Sequence, residues 1–181
     1  YRQITCNFPI RNLSDMKGAK IRVVPSDLYQ QLFTAFGAAA TPMAFSEVPT
    51  ALITNVIDGQ ENPYSVIVSS ALYEVQKYCM ETNHLPTNHG LWMNRNTYES
   101  LTPEQQEAVL KAAYDASAYM DKYILDKVEE YKKICEDNGM EIIDAENGLD
   151  IDGFKAAAEN VYDYFAEDWG DMPDLIRAVQ P

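Results

Sequence analysis

The stretch KIRVVPSDLYQQLFTAFG, residues 20–37, predicts a buried strand followed at once by a helix. The apolar run KIRVV ends at Pro25, which has no backbone N–H to donate to a sheet. Ser26 is a favourable helix N-cap, and Gly37 is a favourable helix stop. A strand that passes directly into a helix is the basic unit of an α/β fold, so this stretch decides the fold class.

The flanking segments repeat the same alternation. The first ten residues, YRQITCNFPI, predict a strand that ends at Pro9, and ATPMAF predicts another short strand. Ser46 can cap a helix through EVPTALITNVI, in which Pro49 is tolerated because it lies in the first turn. A further helix is predicted to end near Glu74. Strands and helices in this order indicate an α/β lobe with mostly parallel strands.

The second half of the chain contains one very long predicted helix. KYCMETNH, HGLWMNRNTY and MEIIDA predict strands, and DIDGFKAAAENVYDYFAEDWG and DMPDLIRAVQ predict closing helices. Thr102, Pro103 and Gln105 form a capping box with proline at the first helical position. A helix from Pro103 to Asn138 would be about 54 Å long, more than a small domain of about 30 Å. It is therefore predicted to run past one lobe onto another. A coiled coil is the alternative, but the apolar stripe contains alanines and lacks heptad leucines.

The composition excludes several classes of partner. The chain has 181 residues, with 28 acidic against 14 basic side chains and a formal charge of -14. This excess of negative charge repels nucleic acids and anionic bilayers, so neither is an expected partner. No apolar run approaches the roughly 20 residues that a membrane-spanning helix needs. We therefore expect no direct membrane insertion.

The sequence lacks the common catalytic and metal-binding motifs. It has no GxSxG, no HExxH and no glycine-rich phosphate loop, so it predicts no enzyme and no cofactor. His84 and His89 lack the further ligands that zinc needs, so no metal site is predicted. Cys6, Cys79 and Cys135 form no CxxC pair. They are either buried free thiols or one disulfide and one free thiol.

Three side chains stand out because of where the predicted strands place them. Arg22 lies in a strand that a parallel sheet buries on both faces, so an anion must meet it, either a ligand carboxylate or a carboxylate of this chain. Arg2 lies in the first strand and is either part of the same site or a solvated residue near the terminus. Phe45 ends a strand just before a helix, where side chains of α/β folds face the ligand crevice, although a place in the core is the alternative.

The segment DGQENP, residues 58–63, interrupts an apolar stretch with hydrogen-bonding side chains. Gln60 and Asn62 each offer donors and acceptors suited to hydroxyl or carboxylate groups, and Pro63 fixes the local backbone. The segment is either a binding corner or a tight Asp58-Gly59 turn between two helices. The residues alone leave both interpretations open.

Taken in order, these motifs resemble one protein family. RQIT and NFPI are followed by DMKGAKIRVVPS, a helix ending in FGA, TPMAFSEV, VIDGQENP and EVQKYCMETNH. This order is similar to that of the extracytoplasmic solute-binding subunits of TRAP (tripartite ATP-independent periplasmic) transporters, the DctP-like proteins. The TPEQQ helix, the GMEII strand and the GFKAAAENVYDYF helix continue the resemblance, which covers almost the whole chain.

The resemblance implies an α/β, periplasmic-binding-protein-like (type II-like) two-lobe fold, here mainly the second lobe and a long lobe-spanning helix. Residues 1–86 would form the second lobe, which carries the ligand-binding arginines and asparagine. Residues 87–181 would supply a crossover strand, the long helix, and the last strand and helices. The first lobe has no counterpart in this sequence and is expected to be cut away or absent.

The resemblance also implies a function and a set of site residues. Such proteins capture a small organic acid outside the cytoplasm, in the periplasm or as a cell-surface lipoprotein, and deliver it to membrane permease subunits. Arg22 would make the main bidentate pair with the ligand carboxylate, and Arg2 would assist it. Phe45 would pack against the ligand, and Asn62 would hydrogen-bond to it.

Two departures from the family pattern concern the ligand. Asn55 stands where a glycine is usual, and Pro49 stands where an aromatic residue is usual. A C4-dicarboxylate, a sugar acid, a sialic acid or a keto acid would each satisfy Arg22. An organic-acid sensor coupled to a signalling partner is the main alternative function, and an enzyme acting on an organic acid is a second one.

Overall fold

A computed structural model describes residues 1–179 and shows one mixed six-stranded sheet covered by helices, which confirms the predicted α/β class. The strands are β1 (Gln3–Cys6), β2 (Lys20–Val23), β3 (Ala39–Pro42), β4 (Gly59–Asn62), β5 (Tyr78–Met80) and β6 (Glu141–Ile143). The helices within these residues are α1 (Leu13–Met16), α2 (Asp27–Ala35), α3 (Val48–Ile53), α4 (Tyr64–Ser69), α5 (Arg95–Glu99), α6 (Pro103–Asp137), α7 (Ile151–Tyr164), α8 (Ala166–Trp169) and α9 (Met172–Ala178). Short 3-10 turns occupy Phe45–Glu47 and Leu72–Glu74. Gln180, predicted to end the last helix, lies outside the described residues.

The strand order is β3-β2-β4-β1-β5-β6. Strand β2 is parallel to β3 and β4, and β5 is parallel to β6, whereas β1 is antiparallel to both of its neighbours. The predicted parallel arrangement is therefore right for every pairing that does not involve β1. All strands except β1 run in one direction, so their carboxyl ends share one edge with the start of β1.

Two apolar clusters hold helices to the two faces of the sheet. On one face, α2 and α7 bury Phe33, Phe36 and Phe154 against strand residues such as Ile4 and Ile21. On the other face, α3, α4 and the last turns of α6 pack against β5 and β6. Complete burial of one such large side chain stabilises the fold by roughly 1.5–3 kcal/mol. Cys6, Cys79 and Cys135 are buried free thiols, so no disulfide joins them.

The polar segment after α3 is a strand and not a turn, so the interpretation as an Asp58-Gly59 turn is wrong. The chain turns earlier, around Thr54 and Asn55, and Asn55 has a φ of 57°. The four residues GQEN then form β4 between β2 and β1, and all four are buried. Gly59 permits this close packing, because a Cβ there would overlap the carbonyl oxygen of Thr5.

Two helix starts differ from the prediction. Ser26 occupies the N-cap position of α2, but its side chain makes no capping hydrogen bond. Ser46 does not cap α3, because it lies within the 3-10 turn and α3 begins at Val48. Pro49 does fall in the first turn, as predicted.

The crossover strand predicted in HGLWMNRNTY is wrong. The first residues of this segment have no regular structure, and α5 begins at Arg95. Leu91, Trp92 and Met93 are all exposed. A strand needs a neighbour to pair its backbone groups, and this segment meets none within residues 1–179.

The long helix is confirmed as a single element, α6, about 52 Å in length for its 35 residues. The Thr102 hydroxyl accepts from the Gln105 N–H at 3.3 Å, and the Gln105 side chain accepts from the Thr102 N–H at 2.9 Å. Gly139, with a φ of 88°, follows its last turn. Between residues 107 and 126 only Ala113 and Ile124 are partly buried, so most of α6 extends away from the sheet. None of the helices within residues 1–179 combines the length and the apolarity of a membrane span.

Candidate functional site at the carboxyl edge of the sheet

The four side chains singled out in the sequence gather at the edge where β2 and β4 end and β1 begins. Arg22 is register-paired with Gln60 of β4, and Asn62 is paired with Gln3. Arg2 directly precedes Gln3 and therefore lies beside the end of β4. This edge is where open α/β sheets bind ligands.

Arg22 is a buried cation that has no carboxylate partner within residues 1–179. Its side chain is held by a backbone carbonyl: Nε and Nη2 both donate to the Met43 oxygen, at 2.9 and 2.8 Å. Burial lowers the pKa of its guanidinium, while the charge of Glu61 opposes this effect. The group still carries its proton at neutral pH. The alternative of a buried ion pair for Arg22 is therefore wrong, and Nη1 remains available to an anion.

Arg2 differs because it does pair with a carboxylate. Its Nε donates to Glu61 Oε2, and its Nη2 donates to Glu61 Oε1 at 2.9 Å. The same Nη2 also lies 2.9 Å from Asn62 Oδ1. Both Arg2 and Glu61 are buried, so the interpretation of Arg2 as a solvated terminal residue is wrong. Its charge is largely compensated within the lobe.

His84 completes this cluster from the loop after β5. Its Nε2 lies 3.4 Å from Glu61 Oε2, and its Nδ1 lies 2.7 Å from the Thr82 hydroxyl. Burial lowers the pKa of His84 below its usual range, and the contact with Glu61 only partly offsets this effect. The ring is therefore neutral at pH 7 and serves as a hydrogen-bonding partner of Glu61.

Phe45 lies at the rim of the same edge. The Arg22 guanidinium carbon is 5.7 Å from the centre of its ring, within cation–π range. Its side chain is 37% exposed, which excludes the alternative of a core position. Phe45 thus presents an apolar face next to the unpaired cation.

The four residues form two pairs, joined by Gln60. Arg22 contacts Phe45, and Arg2 contacts Asn62. Gln60 is the register partner of Arg22, and it accepts a 2.6 Å hydrogen bond from Asn62 Nδ2. The edge can therefore offer a cation, an amide and an aromatic face to one small molecule.

A cleft of about 560 Å³ opens beside this group but does not contain it. Its lining includes Thr82, His84 and Lys132, and it does not include Arg22, Asn62 or Phe45. Arg2 and Arg22 are buried at the edge of the sheet, next to and not within the lining of this cleft. Within residues 1–179 no cluster of three or more His, Cys, Asp or Glu side chains could hold a metal ion.

Glu61 and His84 were missed as site residues in the sequence. The signal for Glu61 was a carboxylate within a segment that must be buried, since an arginine is the expected partner of such a group. In the sequence, His84 is a candidate only for a zinc site, which lacks further ligands. Its contact with Glu61 spans 23 residues of sequence and has no local signal.

Comparison with known sequences gives the family of this chain. The model of the DctP family, bacterial extracellular solute-binding protein family 7, matches residues 1–168. The chain therefore belongs to this family.

Two curated relatives illustrate the match. A solute-binding protein of Roseobacter denitrificans is 36% identical over 159 residues, covering 88% of this chain and 48% of that protein. The 2,3-diketo-L-gulonate-binding periplasmic protein YiaO of Escherichia coli is 34% identical over 172 residues, covering 94% of this chain and 52% of YiaO. The chain thus spans about half the length of the curated relatives it matches.

Solved structures agree in fold. A TRAP periplasmic solute-binding protein of Sulfitobacter sp. NAS-14.1 with bound β-D-galacturonate has a TM-score of 0.88 and 34% identity, covering 97% of this chain and 57% of that chain. One from Roseobacter denitrificans with bound L-galactonate has a TM-score of 0.81 and 37% identity, covering 89% and 52%. The α/β fold of periplasmic binding proteins implied by the resemblance is thereby confirmed for this chain.

Proposed function

We propose that this chain is part of the solute-binding subunit of a TRAP transporter, which captures a small organic acid outside the cytoplasm and delivers it to a membrane permease. The observation that carries the proposal is the buried Arg22 cation, held by the Met43 carbonyl and not by a carboxylate. A desolvated charge of this kind is costly unless an anion joins it. A ligand carboxylate would supply that anion.

Each site residue has a distinct role in the proposal. Arg22 receives the ligand carboxylate, since a guanidinium offers a planar fork of donors that matches it. Arg2 and Asn62 hydrogen-bond to further ligand oxygens, and Glu61 fixes the direction of Arg2. Phe45 covers an apolar side of the ligand.

Sugar acids are the favoured substrate class. Several relatives and structural neighbours at 30% identity or more carry the names of diketogulonate, galactonate and galacturonate, which are acids with several hydroxyl groups. Others carry the names of ectoine, pantoate and succinate. The amide of Asn62, which can both donate and accept, suits such hydroxyls. The proposed location is the periplasm or, as a lipoprotein, the cell surface. The family membership favours transport over the sensor alternative.

The experiment is a calorimetric titration of the protein, extended to the full length of its relatives, with galactonate, galacturonate, diketogulonate and succinate. We expect one sugar acid to bind with micromolar or better affinity. Arg22→Ala should weaken binding at least about 100-fold, because it removes charge-assisted hydrogen bonds worth about 1.5–3 kcal/mol each. Arg22→Lys should recover only part of the loss, since an ammonium lacks the planar fork.

Arg95→Ala is the matched control, because Arg95 is a well-exposed arginine paired with Glu99 on the helix surface. It should leave the affinity unchanged. Two results would refute the proposal: no binding of any carboxylate by the unmodified protein, or unchanged binding in Arg22→Ala.

A further inference from the structure

A continuous chain of side-chain hydrogen bonds leads from the candidate site into the interior of the lobe. Asn62 Nδ2 donates to Gln60 Oε1 at 2.6 Å, and Gln60 Nε2 donates to the Thr5 hydroxyl at 2.9 Å. The Thr5 hydroxyl donates to Gln76 Oε1 at 2.9 Å. All four side chains belong to buried residues. Only Asn62 lies at the carboxyl edge, so the other three have no role in the proposed contacts with ligand.

Gln76, at the inner end of this series of hydrogen bonds, fixes the direction of every hydrogen bond in the series. Gln76 Nε2 lies 3.3 Å from the carbonyl oxygens of Asp58 and Val75, which can only accept. Gln76 must therefore turn its nitrogen to these carbonyls and its oxygen to Thr5. The single hydroxyl proton of Thr5 is then committed to Gln76, so Thr5 can only accept from Gln60.

The outer end imposes the same direction independently. With its nitrogen committed to Thr5, Gln60 must turn its oxygen to Asn62, and Asn62 must turn its nitrogen to Gln60. Arg2 lies on the other side of Asn62 and has only donors, so it requires the Asn62 oxygen. Both ends thus select one orientation of the Asn62 amide. In that orientation one N–H of Asn62 has no partner within residues 1–179.

We propose that Gln60, Thr5 and Gln76 are positioning residues that hold the Asn62 amide in this single orientation, so that its remaining N–H meets an oxygen acceptor of the ligand. The acceptor is a carboxylate or hydroxyl oxygen. The inference rests on the proposed function, because it takes Asn62 as a ligand-binding residue. Residues buried behind the site thus determine which atom of Asn62 contacts the ligand.

The test interrupts the chain of hydrogen bonds at Thr5. Thr5→Val replaces the hydroxyl by a methyl group of similar shape and leaves the Gln60 amide free to rotate. We expect ligand affinity, measured by calorimetry on the full-length protein, to fall about tenfold, which is about 1.4 kcal/mol. Thr5→Ser restores the hydroxyl and should keep the affinity within about twofold of the original. Ile143→Val is the matched control: it removes one buried methyl group of another strand and should leave affinity unchanged.

A double variant separates positioning from stability. Gln76→Met added to Thr5→Val removes the oxygen that the first change leaves unpaired, but it also removes the Nε2 donor to the Asp58 and Val75 carbonyls, so the melting temperature should not rise above that of Thr5→Val. Affinity should equal that of Thr5→Val, because Asn62 is already not held in the single variant. A further fall of affinity that follows the melting temperature would overturn the inference.

A ligand-free measurement completes the test. In nuclear magnetic resonance spectra, the side-chain amide protons of Gln60 and Asn62 should exchange slowly with water in the unmodified protein and in Thr5→Ser, and rapidly in Thr5→Val. Equal exchange in all three would overturn the inference even if no acid bound. If the unmodified protein binds an acid and Thr5→Val binds it equally well, the inference fails while the proposed function stands. Absence of binding by the unmodified protein counts against the proposed function only.

Discussion

Two arginines lie at the same edge of the sheet, but they have different hydrogen-bond partners. Arg2 faces Glu61, whereas within the described residues Arg22 donates hydrogen bonds only to the Met43 carbonyl. The sequence correctly predicted that Arg22 is buried, because an arginine within an apolar strand has no other place. It could not supply the partner, since Arg2 and Glu61 are 59 residues apart and meet only through the antiparallel pairing of β1 with β4.

Because their partners differ, the same substitution at Arg2 and Arg22 should have unequal effects on the free energy of unfolding. Arg2→Met leaves Glu61 buried without its cation and should lower the free energy of unfolding by about 3–5 kcal/mol. Arg22→Met removes an uncompensated cation. It should lower the free energy of unfolding by less than about 1 kcal/mol, or raise it. Urea unfolding at pH 7, without ligand, measures both. Equal losses in the two variants would contradict the distinction.

The buried His84 predicts a specific loss of stability in acid. Its pKa is lowered in the folded state, so the unfolded chain binds a proton more readily once the pH falls below about 6.5. Above that pH, His84 causes no loss of stability. Below it, the free energy of unfolding falls by up to about 1.4 kcal/mol per pH unit. His84→Gln should therefore lose less stability than the unmodified protein between pH 7.5 and 5.5. Identical losses in urea unfolding would argue against a neutral buried imidazole.

At the scale of elements, local signals predicted α6 well and β4 poorly. The capping box of α6 is formed by residues three apart, so the sequence displays it directly. Strand β4 has no apolar alternation, because GQEN is buried among polar partners. The opposite error occurred in HGLWMNRNTY, where apolar residues indicated a strand that has nothing to pair with. Periodicity reports which side chains can be buried, and the partner decides whether they are.

Strand β4 also predicts a sharp glycine effect. Gly59→Ala places a Cβ against the Thr5 carbonyl and close to Ile21, so we expect the β1–β4 pairing to be disrupted. The free energy of unfolding should fall by more than about 3 kcal/mol. Gly139→Ala is the control: its φ is unfavourable for alanine but its surroundings are open, so it should cost only about 1–2 kcal/mol. Comparable losses, measured by denaturant unfolding, would show that close packing at Gly59 is not critical.

At the scale of the whole molecule, the order of motifs predicted the fold class and the family. The sequence also predicts a helix that runs past one lobe, and large side chains of that helix are exposed in the structure. Tyr114, Tyr119 and Leu125 are each at least 70% exposed on α6, and Trp92, in the segment before α5, is almost fully exposed.

This uneven burial predicts uneven protection from hydrogen exchange in the chain by itself. Amides of α6 between residues 107 and 126 have only local helical support, so we expect them to exchange faster than those near Cys135. Helix α7, which buries Phe154, Ala157 and Val161, serves as the protected reference. Uniformly slow exchange along α6, followed by mass spectrometry, would show that packing does not set its stability.

Helix α6 is attached beside the sheet at a point close to its carboxyl end. Lys132 of α6 is bound to Glu81 at 2.9 Å, and the same carboxylate oxygen accepts from the hydroxyl of Tyr64, which follows Asn62 by two residues. Pro103 lies about 44 Å along the helix from Lys132. With the fulcrum at Lys132, a swing of about 5° would carry that far end through about 4 Å of arc. A small tilt of α6 about Lys132 is therefore geometrically equivalent to a displacement of several ångströms at its amino-terminal end.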